Sequence, residues 1–328
     1  MKIETATSMQ EVLTPIWQRV LQLPSVHVED NFFDLGGDSS LALQLFNEIA
    51  KVCGQELPPV TIYQAPTITA LAALLEQPAT PRFPPLVLMK AGTEDPPVFL
   101  AHGLGGSAMD FFQPVKHIQT GRPIYGMQAR GIDGVDEPFE HIEDMAQFHL
   151  DAIRELQPHG PYLLIGYSLG GLVVLEMAQI LSAMGEKVGL LAMLDAYPHL
   201  SHLSLGQRLR IRARRARRGL QFVGDLGGSA SYKPPAGVSF SPVMQRVRNS
   251  AYLALTRYQP RLYRGKVNFV RAATSSVFPH DAAAVWAKFA TNFEVETVPG
   301  DHLGIITTHY QSLANVLSRY LKEACRQG

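Results

Sequence analysis

Two serines stand in settings that chemistry, rather than packing, would select. Ser168 lies in Gly166-Tyr167-Ser168-Leu169-Gly170, between the strand-like run Leu163-Leu164-Ile165 and the helix-like run Leu172-Val173-Val174-Leu175. A serine hydroxyl is a poor nucleophile until a base takes its proton and donors stabilise the resulting oxyanion. Flanking glycines let a helix start crowd the preceding strand, and the tight turn lifts the serine to the sheet's edge. Ser39 lies in Asp34-Leu35-Gly36-Gly37-Asp38-Ser39, where a helix is expected to open. Unpaired N–H groups and the helix dipole favour an anion at such a point, so a phosphodiester on Ser39 would be electrostatically comfortable. Gly36 and Gly37 would leave room for a processing enzyme to approach. A plain helix cap formed by Asp38, Ser39 and Ser40 explains the same residues equally well.

Ser168 needs a base and an acid, expected in the chain order Ser, Asp, His. Of the eleven histidines, His302 is the candidate base, because Pro299-Gly300-Asp301-His302 follows the strand-like Val295–Val298 and precedes a final helix. Asp195 is the favoured acid, since it abuts Leu190-Leu191-Ala192-Met193-Leu194 with no loop between; it would hold the imidazole in the correct tautomer. Asp281, after the next strand, competes for that role. Asp301, beside His302 in the chain, is expected only to solvate its loop. The oxyanion donors are expected to be the backbone N–H of Leu169 and one from His102-Gly103-Leu104-Gly105-Gly106, with Leu104 the choice there. A merely tight turn is the competing account of those glycines.

The elements that must position these groups fall into two units. The chain has 328 residues, enough for a small and a medium domain. Residues 1–77 show stripes of helical period, Val12, Leu13, Ile16, Trp17 and Val20, then Leu41, Leu45, Phe46 and Ile49. With a short turn near Thr61–Gln64 and a helix capped by Thr67, they predict a small all-α four-helix domain. Pro78, Pro81, Pro84 and Pro85 mark residues 78–85 as an extended linker. From 86 to 328, the apolar runs Val98–Ala101, Tyr162–Ile165, Val188–Leu194 and Val267–Arg271 alternate with amphipathic stretches at Ile142–Leu156 and Leu172–Met184. That alternation predicts a doubly wound, mostly parallel α/β sheet. An insertion, about 199–264, interrupts it.

A formal net charge of zero leaves no gross pull towards nucleic acid or a membrane. Only Cys53 and Cys325 occur, which fits neither a disulfide framework nor a metal cluster and suits a reducing, cytoplasmic setting. No secretory signal and no membrane span is expected from the sequence.

Residues 6–76 resemble a peptidyl carrier domain of nonribosomal peptide synthetases, through Asp30-Asn31-Phe32-Phe33-Asp34-Leu35-Gly36-Gly37-Asp38-Ser39. Residues 86–326 resemble the type I thioesterase domain that ends such assembly lines, or hybrid polyketide ones, through His102–Gly106, Gly166–Gly171, Asp195 and Gly300-Asp301-His302. The resemblance implies an α/β-hydrolase domain, and a 4′-phosphopantetheine on Ser39 whose thiol holds the chain as a thioester. It implies as partners a phosphopantetheinyl transferase, an acyl or peptidyl substrate, and upstream synthetase modules or a loading enzyme acting in trans. It supports Asp195 over Asp281. The chain begins at Met1 with no loading domain before the carrier, so an excised terminal didomain and a free-standing protein are both expected readings.

In that resemblance the insertion is a lid over the substrate channel. Arg208, Arg210, Arg212, Arg214, Arg215, Arg217 and Arg218 crowd one stretch of it, with Leu205, Leu209, Ala213, Ala216 and Leu220 at helical spacing. The arginines would attract the acidic carrier or meet an anionic substrate, a membrane-surface helix being another reading; a solvated outer face accounts for them as well. The expected activity is chain release through an acyl-Ser168 ester, by hydrolysis as the default or by macrocyclisation. Transfer to a separate acceptor and a non-catalytic carrier or shuttle are the rivals.

Overall fold

The computed structural model describes residues 8–77, 83–202, 206, 209, 241–274 and 281–325. The arginine stretch 208–218, Pro78, Pro81 and most of the expected lid lie outside the described residues.

Local signals set the first four helices. In α1 (Met9–Leu21) the Ser8 hydroxyl accepts from the Glu11 N–H at 3.3 Å, and Glu11 accepts from the Ser8 N–H at 2.9 Å. This reciprocal pair satisfies two of the donors that a helix start leaves free. Asp38 caps α2 (Ser39–Cys53), its Oδ1 accepting from the N–H groups of Ser40 and Leu41 at 2.9 Å each. Capping therefore falls to Asp38, and Ser39 is the first helical residue. α3 (Thr61–Gln64) is one turn, and α4 (Ile68–Leu75) starts from the Thr67 side chain. Leu13, Trp17, Leu45, Ile49 and Leu71 close a core around Phe32, whose ring meets Trp17 edge-on at 5.4 Å. A Cβ on Gly37 would lie 2.3 Å from the Phe32 ring, whereas one on Gly36 would meet nothing within 4 Å. Gly37 thus serves packing rather than access.

The second unit is a seven-stranded sheet in the order β1-β3-β2-β4-β5-β6-β7. Its strands are β1 (Leu86–Lys90), β2 (Val98–Ala101), β3 (Ile124–Met127), β4 (Tyr162–Tyr167), β5 (Val188–Leu194), β6 (Tyr263–Ala272) and β7 (Ala290–Val298). β1 pairs antiparallel to β3; the other pairings are parallel. Successive strand residues point to opposite faces, so Tyr162 and Leu164 enter one core while Leu163 and Ile165 enter the other. α6 (Ile142–Leu156), α7 (Leu169–Ala183) and α8 (Pro242–Arg257) pack into the first; α5 (Phe112–His117) and α11 (Tyr310–Ala324) into the second. Short helices α9 (Ala282–Trp286) and α10 (Gly304–Thr307) flank β7. No helix among the described residues is long and apolar enough to cross a membrane.

The helical unit rests against the sheet unit at a 3-10 turn, Ala108–Phe111, and at α5. Phe33 lies 5.4 Å from Phe112 and 5.0 Å from Tyr63, ring to ring. Val60 joins Val87 and Ala108 in a small buried cluster. Lys116 Nζ sits 4.2 Å from the Phe112 centroid and 5.9 Å from that of Phe33.

Candidate active site

Parallel strands deliver their carboxyl ends to one rim, and the loops leaving them carry the chemistry. Ser168 follows β4 directly and takes φ 55°, ψ −118°, a conformation side chains rarely adopt, with its N–H bonded to the Leu194 carbonyl at 2.9 Å. The glycines make this turn feasible. A Cβ on Gly166 would lie 2.1 Å from the Gly170 carbonyl oxygen, and one on Gly170 would lie 2.3 Å from that of Ala101. The start of α7 therefore abuts both β4 and the end of β2, which brings the 102–106 loop alongside the serine.

Asp195 directly follows β5 with φ 45° and is 1% exposed. Its Oδ1 accepts from the Ala272 N–H at 3.1 Å, and its Oδ2 lies 2.8 Å from His302 Nδ1. His302 Nε2 is 3.0 Å from Ser168 Oγ. The loop after β7 thus closes a continuous line from carboxylate through imidazole to hydroxyl. Such a line can move a proton off the serine while the buried carboxylate holds the ring. Asp281 is elsewhere: it caps α9, accepting from the Ala284 N–H at 2.9 Å. Asp301 folds its own loop, with Oδ1 accepting from the Gly304 N–H at 2.7 Å.

Leu169 opens α7, and Leu104 lies in the loop that Gly170 abuts. The two residues belong to separate elements that the close approach at Gly170 brings together. Two further residues are given no role by the sequence, although Tyr167 lies within the serine motif. The Tyr167 ring stacks on His302 with centroids 4.9 Å apart at 24°, and its hydroxyl donates to the His302 carbonyl at 2.8 Å. Asp110, on the 3-10 turn, accepts from the Gly103 N–H at 2.8 Å. A cleft of about 400 Å³ lined by Asp95, Pro97, Tyr125 and Pro161 opens at the opposite, amino-terminal ends of the strands.

Position 39 suits an anionic attachment on the observations around it. It is the first residue of a fifteen-residue helix, Ser40 is exposed, and the space beside Gly36 is open.

Residues 96–322 match the family model described as "Thioesterase domain", and residues 11–75 match "Phosphopantetheine attachment site". A "Dimodular nonribosomal peptide synthase" of Bacillus subtilis (strain 168) is 42% identical over 194 residues, 59% of this chain and 8% of that protein. "Malpibaldin synthetase" of Mortierella alpina is 31% identical over 266 residues, 79% of this chain and 5% of that protein. The chain thus spans under a tenth of the length of these two relatives. Among solved structures, a holo four-domain nonribosomal peptide synthetase bound to AMP and glycine matches 97% of this chain and 26% of its own, at 22% identity and a TM-score of 0.60. The NocB thioesterase domain in covalent complex with a fluorophosphonate nocardicin G analog matches 70% of this chain and 95% of its own, at 24% identity and a TM-score of 0.52. Both likenesses concern the fold.

Proposed function

This chain belongs to the thioesterase family, with a phosphopantetheine attachment domain ahead of it, and on that premise we propose that it releases an acyl or peptidyl chain through an ester on Ser168. The observation that carries the reading is the hydrogen-bonded line Asp195–His302–Ser168 on the strained turn after β4. Ser39 is the proposed attachment residue, and the arm supplies the thiol that presents the chain as a thioester. His302 Nε2 takes the proton from Ser168 Oγ as that oxygen bonds to the thioester carbonyl carbon. The Leu104 and Leu169 N–H groups hold the oxyanion. When the C–S bond breaks, His302 returns the proton to the departing sulfur, and Asp195 offsets the positive ring in between. In the second half His302 deprotonates water as it attacks the ester carbon; the C–Oγ bond breaks, His302 returns the proton to Ser168 Oγ, and the acid is freed. Hydrolysis is favoured because it asks no folding of the substrate inside the site; an internal amine or hydroxyl would give a ring by the same steps.

We place the carrier at 1–77, the linker at 78–85 and the thioesterase at 86–328, a division supported by the end of α4 at Leu75 and the start of β1 at Leu86. A phosphopantetheinyl transferase and upstream synthetase modules are the proposed partners, by analogy with the longer relatives.

The test loads the phosphopantetheinylated protein with an acyl group in oxygen-labelled water and weighs protein and product. The parent is expected to lose its load and yield a labelled free acid, while Ser168→Ala keeps the load. Equal loss from Ser168→Ala would sink the proposal. A ring or a transferred product in place of the acid would replace the hydrolytic second half.

A further inference from the structure

Gly103, the residue before the proposed donor Leu104, is held at both of its peptide groups. Its N–H donates to Asp110 Oδ2 at 2.8 Å, and its carbonyl lies 2.7 Å from His102 Nδ1. The residue is also walled in, since a Cβ there would lie 3.1 Å from the Tyr167 ring and 3.2 Å from Asp110 Oδ2. Tyr167 in turn stacks on His302. The turn bearing Asp110 is itself pinned: the Ala108 N–H donates to the buried Gln128 side chain at 2.6 Å, and Ser107 accepts from the Met109 N–H at 3.2 Å.

We propose, resting on the reading of Ser168, His302 and the 102–106 loop given above, that Asp110 is a positioning residue whose carboxylate fixes the Gly103 peptide so that the Leu104 N–H meets the oxyanion. Hydrogen bonds to a charged acceptor are stronger and shorter than neutral ones, which suits a fixed loop. The Gly103 N–H and His302 act on this carboxyl, and the Tyr167 ring walls Gly103 beside it. Desolvation pushes it up to about 6, while the Gly103 N–H and the charge of His302 pull it down. A carboxylate close to a developing oxyanion is repulsive in itself. The benefit must therefore come from alignment and not from field, and an uncharged acceptor of the same shape should supply most of it.

The test uses the full chain and a small soluble acyl thioester, which needs no carrier. Asp110→Leu leaves the Gly103 N–H without its acceptor and is expected to lower kcat by about 10–100-fold, short of the loss from deleting a donor, with KM held within about threefold. Asp110→Asn keeps an acceptor and is expected to recover kcat to within about fivefold of the parent at pH 8. An unchanged kcat in Asp110→Leu, or a loss seen only in KM, overturns the role. If Asp110→Leu shows no cooperative thermal transition, Asp110→Ala takes its place with the same expected loss, and an unchanged kcat there, or an Asp110→Asn variant that loses as much, overturns the role. Ser168→Ala run alongside separates the two proposals. Turnover there would remove the catalytic reading itself, whereas silence there with an unaffected Asp110→Leu removes only Asp110.

Discussion

Both oxygens of Asp195 are engaged, one by the Ala272 N–H and one by His302, and the residue is almost wholly buried. In the proposed reaction a carboxylate in that position would fix the tautomer of the ring and face the positive charge formed on it. Asp195→Asn keeps the shape but presents an amide to Nδ1, so kcat is expected to fall by about 10⁴-fold with KM little changed. Asp281→Asn is expected to leave turnover at the parental level, because that side chain caps α9. Steady-state rates of the two variants check the assignment, and a deep loss in the second would reverse it. Sequence could weigh these two aspartates because each follows a strand. Tyr167 stands at the end of β4 inside the serine motif, but sequence gave that ring no role, and Asp110 stands in no motif at all. Their places follow from contacts with Gly103 and His302, 7 and 135 residues away in the chain.

Elements were legible where burial is uniform. β2 and β5 read as unbroken apolar runs, and β5 spans Val188–Leu194 as its run predicts. β1 and β3 escaped, for physical reasons. β1 is a half-buried antiparallel edge ending in Lys90, and β3, though largely buried, has only four residues including Gly126, too few to stand out as an apolar run. The glycines that mark the β4–α7 turn act through main-chain contact, and no side-chain rearrangement can relieve it. Gly166→Ala is therefore expected to abolish turnover or folding, read by kcat beside a thermal melt; parental values in both would contradict the close approach. Beneath the rim, the rings of His102 and His149 meet edge-on at 6.0 Å. Burial pushes His149 down to about 3, helped by repulsion from His102, and burial lowers His102 as well. The unfolded chain then binds more protons than the folded one between about pH 6.5 and 3. The resulting stability is fully present above the unfolded value and drains away as pH falls. His149→Phe is expected to narrow the gap between urea midpoints at pH 7 and pH 4.5, and an unchanged gap would place the acid sensitivity elsewhere.

At the scale of the whole molecule, the carrier and the sheet unit meet at the Val60–Val87–Ala108 cluster and at a set of rings and a cation, Phe33 and Tyr63 on one side and Phe112 and Lys116 on the other. Asp38, directly before Ser39, raises the Lys116 pKa against the desolvation that lowers it, so opposite charges face each other across the seam. Aromatic pairs of this kind contribute about 0.5–1.5 kcal/mol beyond their burial, and an exposed cation over a ring about 0.5–1 kcal/mol. Contacts of that size suit the proposed cycle, in which the carrier docks, delivers and leaves. Tethering also holds the two halves at an effective concentration of about millimolar. Phe33→Leu and Lys116→Met are therefore expected to slow release from the attached carrier by only about two- to fivefold. When the same carrier is supplied as a separate, more dilute molecule, the loss should approach about tenfold, because docking is then no longer near saturation. Neither change should alter kcat on a small free thioester. Single-turnover release measured in the three formats distinguishes the outcomes. Equal losses in all of them would mean that these side chains support the thioesterase itself and not the carrier's hold on it.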